Sequence, residues 1–133
     1  MCQFLQRQCK AIMSELNHYF GGDISVNNTG DLLSISGTTR SQQRLLRRLL
    51  TNPGAYIFHS DYGAGLPAKV GDTLDIPKLR ALIRGQVQLE DSIAKTPEAV
   101  ISLSAIANGV TVNIKYTDVV TSNVATLSFN VNR

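Results

Sequence analysis

The run ISLSAIANGVTVNIKY, residues 101–116, decides the fold that we predict for this chain. Apolar residues occupy alternate positions before and after Asn108-Gly109, which is the period of a strand that buries one face. Asn-Gly between two such runs is a strong signal for a two-residue hairpin turn of type I′. We therefore predict two antiparallel strands joined by a tight turn at Asn108 and Gly109.

A third strand is predicted after a loop at residues 119–123. Apolar and polar residues alternate there again, so the three strands form an antiparallel meander over about residues 97–133. The last strand of a meander has one edge without a partner, and such an edge can accept a strand from another protein. The candidate partner edge consists of Val124, Ala125, Thr126, Leu127, Ser128, Phe129, Asn130 and Val131.

Helical spacing begins near the N-terminus, where one amphipathic helix is predicted over residues 2–20. Gly21 and Gly22 end it. Its two cysteines, Cys2 and Cys9, are predicted to be free thiols, because their separation of about 10 Å along a helix axis exceeds the span of a disulfide.

Two further helices are predicted before about residue 96. One runs from a cap at Thr38 or Thr39 to about Asn52, and the other opens at Asp75 with Pro77 in its first turn. A short strand is predicted at residues 31–36. Together these patterns predict a small single α+β domain over residues 1–133, with N-terminal helices and a C-terminal three-stranded antiparallel meander.

The predicted helix that ends near Asn52 has two chemically distinct sides. Leucines at positions 45, 46, 49 and 50 fall on one side, and we predict that they enter the core. The opposite side is predicted to meet solvent or an acidic partner, and it carries Arg40, Arg44, Arg47 and Arg48. Phosphate binding by these arginines is an alternative, but no aromatic residues interleave with them and no recognition-helix partner precedes them.

The connection LLTNPGAYIFHSDYGAGL, residues 49–66, contains a His-Ser-Asp run. We predict that Pro53-Gly54 stops the helix, that residues 56–58 are extended, and that Asp61 caps a helical turn through Leu66. Adjacent side chains of an extended segment point to opposite sides, whereas a catalytic triad needs them to converge. The run is therefore predicted to be structural, with two glycines that allow positive φ or close packing, Gly63 and Gly65.

Glycosidase chemistry needs two carboxyl groups about 5 to 9.5 Å apart, one of them in an apolar setting. Glu90 and Asp91 are neighbours near a predicted helix end and Glu98 follows a proline, so we predict solvated charges and no enzymatic activity. No metal or other cofactor is predicted, since no ligand spacing is present. The composition, 43% hydrophobic and 17% charged with a net charge of +3, is ordinary for a globular chain, and no apolar run is long enough to span a membrane.

The order of these segments resembles the gene 25-like baseplate family of contractile tails, which includes phage W-type proteins and the type VI secretion baseplate component. That family has an L-T-x-x-G-E stretch followed by P-D-[FY]-G-x-G-L. The matching residues are Leu50, Thr51, Gly54, Asp61, Tyr62, Gly63, Gly65 and Leu66. The resemblance covers about residues 31–106. Ala55 and Ser60 replace the family's Glu and Pro, and only Glu90 matches its Glu-Pro-Arg signature.

The resemblance implies a structural protein of the virion, located in the tail baseplate and assembled in the cytoplasm of the bacterial host. Its implied partners are other baseplate wedge proteins, the tail sheath protein and, as a further candidate, the tail tube. It implies sheath initiation by β-strand augmentation, with no small-molecule substrate, nucleic acid or membrane, and a chain that is monomeric alone and multi-copy in the assembled ring. Two alternatives stay open: a peptidoglycan-degrading tail lysozyme and a small nucleic-acid-binding domain.

Overall fold

The computed structural model describes residues 13–71 and 74–132. In chain order these residues form β1 (Glu15–Leu16), β2 (Ser34–Ile35), α1 (Gly37–Leu50), α2 (Leu66–Gly71), α3 (Ile76–Gln88), β3 (Val100–Ile106), β4 (Gly109–Thr117) and β5 (Val124–Asn132). The first two strands form a small antiparallel sheet, and the last three form an antiparallel sheet in the order β3-β4-β5. The predicted α+β class and C-terminal meander are thus confirmed, while a single domain over the whole chain stays a prediction.

The hairpin between β3 and β4 lies where the sequence placed it, but its turn is different. Ile106 pairs with Gly109, so the two loop residues are Ala107 and Asn108, and Gly109 is already the first residue of β4. A type I′ turn needs positive φ at both central residues, and neither Ala107 nor Asn108 has it. The predicted turn centred on Asn108 and Gly109 is therefore wrong by one residue and in type.

The alternation of the meander produces one buried face and one polar face. Val110, Val112, Ile114, Leu127 and Val131 turn inward, and the polar residues between them turn out. The inner face packs against α1, α2 and α3 in one core. The helices contribute Leu45, Leu49, Leu66, Val70, Leu79, Ile83 and Val87 to it.

Two predicted helices are confirmed as α1 and α3, but only the N-cap predicted for α3 is correct. Asp75 caps α3 as predicted, since its carboxylate accepts a hydrogen bond from the Lys78 amide at 3.2 Å. The cap predicted for α1 at Thr38 or Thr39 is wrong, because the N-cap is Ser36 and makes no side-chain capping bond.

The predicted helix over residues 2–20 is not confirmed. Glu15 and Leu16 form β1, paired with Ile35 and Ser34, so the prediction is wrong for this part of the segment. Pairing with β2 satisfies the backbone groups there in place of helical bonds. Residues 2–12, and the predicted free thiols of Cys2 and Cys9, lie outside the described residues.

The connection after α1 is a series of turns. Residues 56–58 are not extended as predicted: the His59 amide donates to the Tyr56 carbonyl at 3.2 Å, and the Tyr62 amide donates to the His59 carbonyl at 3.0 Å. Asp61 is exposed and does not cap a helix, because α2 begins only at Leu66. Both predictions are wrong because this stretch folds into successive turns and not into an extended segment followed by a helix cap.

Candidate interaction site: an arginine cluster beside an apolar cleft

The arginine side of α1 surrounds a buried glutamate that follows α3. Glu90 is 1% exposed, and its carboxylate accepts hydrogen bonds from Arg44 Nε at 2.7 Å and Arg48 Nε at 3.0 Å. The Ser92 hydroxyl donates to the same carboxylate at 3.0 Å. Glu90 was predicted to be a solvated helix-end charge, which is wrong: it is the internal counter-ion that joins α1 to the end of α3.

A second carboxylate approaches the same helix from β1. Glu15 accepts hydrogen bonds from Arg40 Nε at 2.9 Å, Arg44 Nη1 at 2.7 Å and Arg47 Nη2 at 3.1 Å. Unneutralised arginines three and four positions apart on one helix face would repel each other. The two glutamates offset that repulsion, and Glu15 fastens the N-terminal segment, residues 13–35, to α1. We call these six residues, Glu15, Arg40, Arg44, Arg47, Arg48 and Glu90, the arginine cluster.

The cluster keeps both carboxylates ionised. Burial alone raises the pKa of Glu90, but hydrogen bonds and charge from Arg44 and Arg48 outweigh burial and hold that pKa below its ordinary value. Burial also raises the pKa of Glu15, and Arg44 and Arg40 reverse the effect in the same way, so this pKa is lowered too. A carboxyl group with a lowered pKa is ionised near neutral pH, so it has no proton to donate as a general acid.

These contacts restrict the prediction that the arginine side meets solvent or an acidic neighbour to part of that side. Arg40 is buried, and Arg44 and Arg48 bind glutamates of the same chain. Arg47 remains the most open to further contact, since its one carboxylate bond is the longest in the cluster. Binding of a partner by this face stays a prediction.

The connection of residues 51–66, which contains the D-Y-G-x-G-L stretch, forms a corner at the C-terminal end of α1. The Ala64 amide donates to the Arg48 carbonyl at 3.0 Å, and the Gly65 amide donates to the Thr51 carbonyl at 2.9 Å. These bonds satisfy carbonyls that a helix end leaves unpaired. Leu66 is fully buried and joins the core, while Leu50 packs against it.

The glycines of this corner behave as predicted. Gly63 and Gly65 have φ of 110° and 62°, values that favour glycine. A Cβ on Gly63 would overlap the Thr51 carbonyl oxygen, and one on Gly65 would lie 2.9 Å from Pro53 Cδ. Gly54 also has positive φ, and its amide donates to the Ser60 carbonyl at 2.9 Å. The corner therefore depends on both positive φ and close backbone approach.

Aromatic side chains cover the outer side of the corner. The Arg48 guanidinium lies over the Tyr62 ring, 4.5 Å from its centroid, and the Tyr56 ring meets Tyr62 and Phe58 edge to face. Ile57 and Phe58 project from the corner and are 82% and 75% exposed. No hydrogen bond among the described residues joins the side chains of His59, Ser60 and Asp61, so the structure does not assemble the apparent triad.

A cleft of about 640 Å³ lies between the arginine cluster, the corner and the N-terminal segment. Its lining includes His18 and Phe20 from the N-terminal segment, Arg44 and Arg47 from α1, and Tyr56 from the corner. The His18 Nε2–H donates to the Gly22 carbonyl at 3.0 Å, and the His18 amide donates to Gln43 Oε1 at 3.1 Å. These two bonds fix His18 to its own segment and to α1.

The candidate partner edge lies on β5, at one side of the meander. Gln42 Nε2 donates to the Thr126 carbonyl at 3.0 Å, so this carbonyl points away from β4. Backbone groups alternate sides along an antiparallel strand. Residues Val124, Ser128 and Asn130 therefore point their amides and carbonyls to the same open side as Thr126, and no strand of the described residues pairs there.

Sequence reasoning missed several residues that define these sites. It overlooked Glu15 and placed it inside a predicted helix, and it assigned no role to Ser92 or Gln42. One signal was present: α1 contains four arginines and no acidic residue, so carboxylates had to come from elsewhere in the chain. The pattern could not say which ones, since each glutamate lies far along the sequence from the arginines that it binds.

Comparison with models of known protein families gives no match, and no curated protein matches the sequence. Among residues 13–71 and 74–132, no three His, Cys, Asp or Glu side chains gather into a group that could hold a metal ion. No helix in this part of the chain has the length and apolar character needed to cross a bilayer.

Proposed function

We propose that this protein is a structural component of a contractile-tail baseplate, where it contacts the wedge and initiates the sheath by accepting a strand along β5. The single observation that carries the strand-addition mechanism is the open side of β5. Four successive outward residues offer backbone groups there, over about 20 Å of strand. The family assignment itself depends on the resemblance of the corner sequence, and assembly experiments test it.

The chemistry of the open side suits strand addition. Four outward residues carry four amides and four carbonyls, and Gln42 occupies one of the carbonyls. Each backbone hydrogen bond to an added strand contributes about 0.5–1.5 kcal/mol net. The side chains of Thr126, Ser128 and Asn130 are exposed and uncharged, so a strand can approach without burying an unpaired charge.

The lysozyme alternative finds no support in the carboxylates. Glu90 is buried and bound by two arginines, which lower its pKa, whereas a glycosidase acid needs a raised pKa. Glu98 is exposed and also has a lowered pKa, because hydrogen bonds from Arg84 stabilise its ionised form. Turbidity of purified cell wall incubated with the protein tests this alternative directly: sustained lysis that Glu90→Gln abolishes would favour it.

A proline scan of the two outer strands tests strand addition. Ser128→Pro removes an amide on the open side of β5, where proline does not break the bonds to β4. Ala105→Pro is the matched control: by the same alternation its amide points away from β4 on the opposite outer strand, β3. Deleting the last strand would be a poorer test, since Leu127 and Val131 belong to the core.

The variants are introduced into the gene in its native host, and particles are inspected by electron microscopy. We expect sheathed tails with Ala105→Pro and baseplates without sheath with Ser128→Pro, while both purified chains keep the circular dichroism of the parent. Normal sheaths with Ser128→Pro would rule out strand addition at β5. Normal sheathed tails after deletion of the whole gene, or no tail particles in any strain that carries the gene, would rule out the baseplate role.

A further inference from the structure

The arginine cluster carries an excess of positive charge that faces the cleft. Four guanidinium groups bind two carboxylates, which leaves two positive charges without a counter-ion inside the cluster. Arg44 and Arg47 line the cleft, and each has 30% of its side chain exposed. Arg47 gives a carboxylate only one of its five N–H groups, at 3.1 Å. The open donors of the cluster are thus concentrated at Arg47.

Apolar side chains line the same cleft as these donors. Phe20 and Tyr56 line the same cleft and are about half exposed, and Ile57 and Phe58 extend the apolar surface beyond its rim. The volume of about 640 Å³ is within the range of pockets that hold a small molecule, so side chains of a bound segment can enter it. An occupant that matches this lining must therefore combine negative charge with an apolar side chain.

We propose that this cleft binds a short acidic segment of another protein. Carboxylates of the segment pair with the guanidinium groups of Arg47 and Arg44, and an aromatic or aliphatic side chain packs between Phe20 and Tyr56. Arginine and carboxylate form paired, charge-assisted hydrogen bonds, which gives such a site direction as well as affinity. Charge complementarity with the two excess positive charges selects acidic segments over neutral or basic ones.

Nucleic acid is the less suitable occupant. Single-stranded nucleic acid needs open aromatic faces for base stacking and several cations along its backbone. One face of Tyr62 is covered by Arg48, and the Tyr56 ring is contacted by both Phe58 and Tyr62. Two excess charges are also few for a strand that carries one phosphate per nucleotide. A peptide needs only one or two carboxylates to match them.

This inference does not depend on the baseplate role, because the cleft exists in the isolated chain. Its test is accordingly done with the purified full-length protein. A displayed library of random twelve-residue peptides is selected on the immobilised chain, and the most enriched peptide is synthesised with a fluorescent label. We expect enriched peptides to contain at least two Asp or Glu residues next to an aromatic or aliphatic residue.

Binding of the synthesised peptide is then compared across charge-reversal variants. Arg47→Glu should weaken it at least tenfold, which corresponds to about 1.4 kcal/mol. Lys115→Glu is the matched control, since it makes the same charge change at an exposed residue on the outer face of the sheet and should bind like the parent. If Arg47→Glu does not fold, Tyr56→Ala provides the second variant, and it should also weaken binding.

Several results would overturn the proposal. They are the absence of any enriched peptide, enrichment of peptides without acidic residues, and equal binding by the parent and both cleft variants. A twelve-nucleotide single strand is included as a competitor. Displacement of the peptide by this strand at lower concentration than by unlabelled peptide would assign the cleft to nucleic acid instead.

Discussion

Replacing Glu90 by glutamine tests whether the arginine cluster is held together by a buried charge. The substitution keeps the volume of the side chain and one carbonyl oxygen, but it removes the negative charge. The amide nitrogen of glutamine is a donor, and it would face the N–H groups of Arg44 or Arg48. One guanidinium would then retain an acceptor, and the other would point at a donor.

The cost can be worked out from the geometry. A lost hydrogen bond to a charged group costs about 1.5–3 kcal/mol, and removing one partner of a fully buried ion pair costs about 3–5 kcal/mol. Arg44 is partly open to water, with 30% of its side chain exposed, and water will compensate it in part. We therefore expect a loss of about 2–4 kcal/mol in the free energy of unfolding. For a chain of this size that lowers Tm by roughly 10 °C.

The assay is urea unfolding at neutral pH, followed by circular dichroism, with thermal unfolding alongside. Glu98→Gln is the matched control, because Glu98 also accepts two hydrogen bonds from one arginine, Arg84, at 2.6 and 2.7 Å. That pair is 58% and 47% exposed, so solvent screens it and its loss should destabilise the chain much less than the loss of the Glu90 charge. A Glu90→Gln variant as stable as Glu98→Gln would mean that the buried charge of Glu90 does not hold the arginine cluster together.

Three further predictions concern pH, backbone geometry and the N-terminal segment. The pKa of Glu90 is lower in the folded chain than in the unfolded chain. Its stabilising effect is therefore present above the unfolded pKa and is lost as pH falls through the folded pKa. In urea titrations, the difference in free energy of unfolding between the parent and Glu90→Gln should become smaller from about pH 7 to about pH 3. Gly63→Ala should lower the free energy of unfolding in urea by more than about 2 kcal/mol, because the new Cβ overlaps the Thr51 carbonyl. Gly85→Ala is the control, since this position on α3 has open space around it, and it should be neutral or stabilising by up to about 1 kcal/mol. Equal effects of the two substitutions would contradict the role of the corner. Glu15→Gln should raise hydrogen exchange at residues 15–35 about tenfold and leave α3 unchanged, and an unchanged segment would mean that Glu15 does not anchor it.

The meander and α3 were predictable because their signals are local. Strict alternation fixes which strand residues turn inward, and Asp75 with Pro77 marks a helix start within a few residues. The hairpin turn was missed by one residue, since pairing of Ile106 with Gly109 extends the ladder into the Asn-Gly pair. Even a strong turn motif thus depends on the register of the strands around it.

The arginine cluster could not be predicted because its contacts are long-range. Periodicity placed the arginines opposite the leucines correctly, and the usual inference is that such a face meets water. Glu15 reaches it from β1, which precedes α1, and Glu90 reaches it from beyond a connection whose turns no local pattern specifies. The N-terminal helix failed for a related reason: apolar spacing suited a helix, but Glu15 and Leu16 pair with β2.

The most direct test of the proposed function is a cryo-electron microscopy map of the native particle into which this chain assembles. We predict that the chain lies in the baseplate and that a strand of the sheath protein pairs with the open side of β5, along Val124, Thr126, Ser128 and Asn130. We also predict that the Gln42 side chain has left the Thr126 carbonyl, which the added strand now needs. A baseplate that contains the chain with this side of β5 facing solvent, or a tail particle that lacks the chain, would contradict the proposed function.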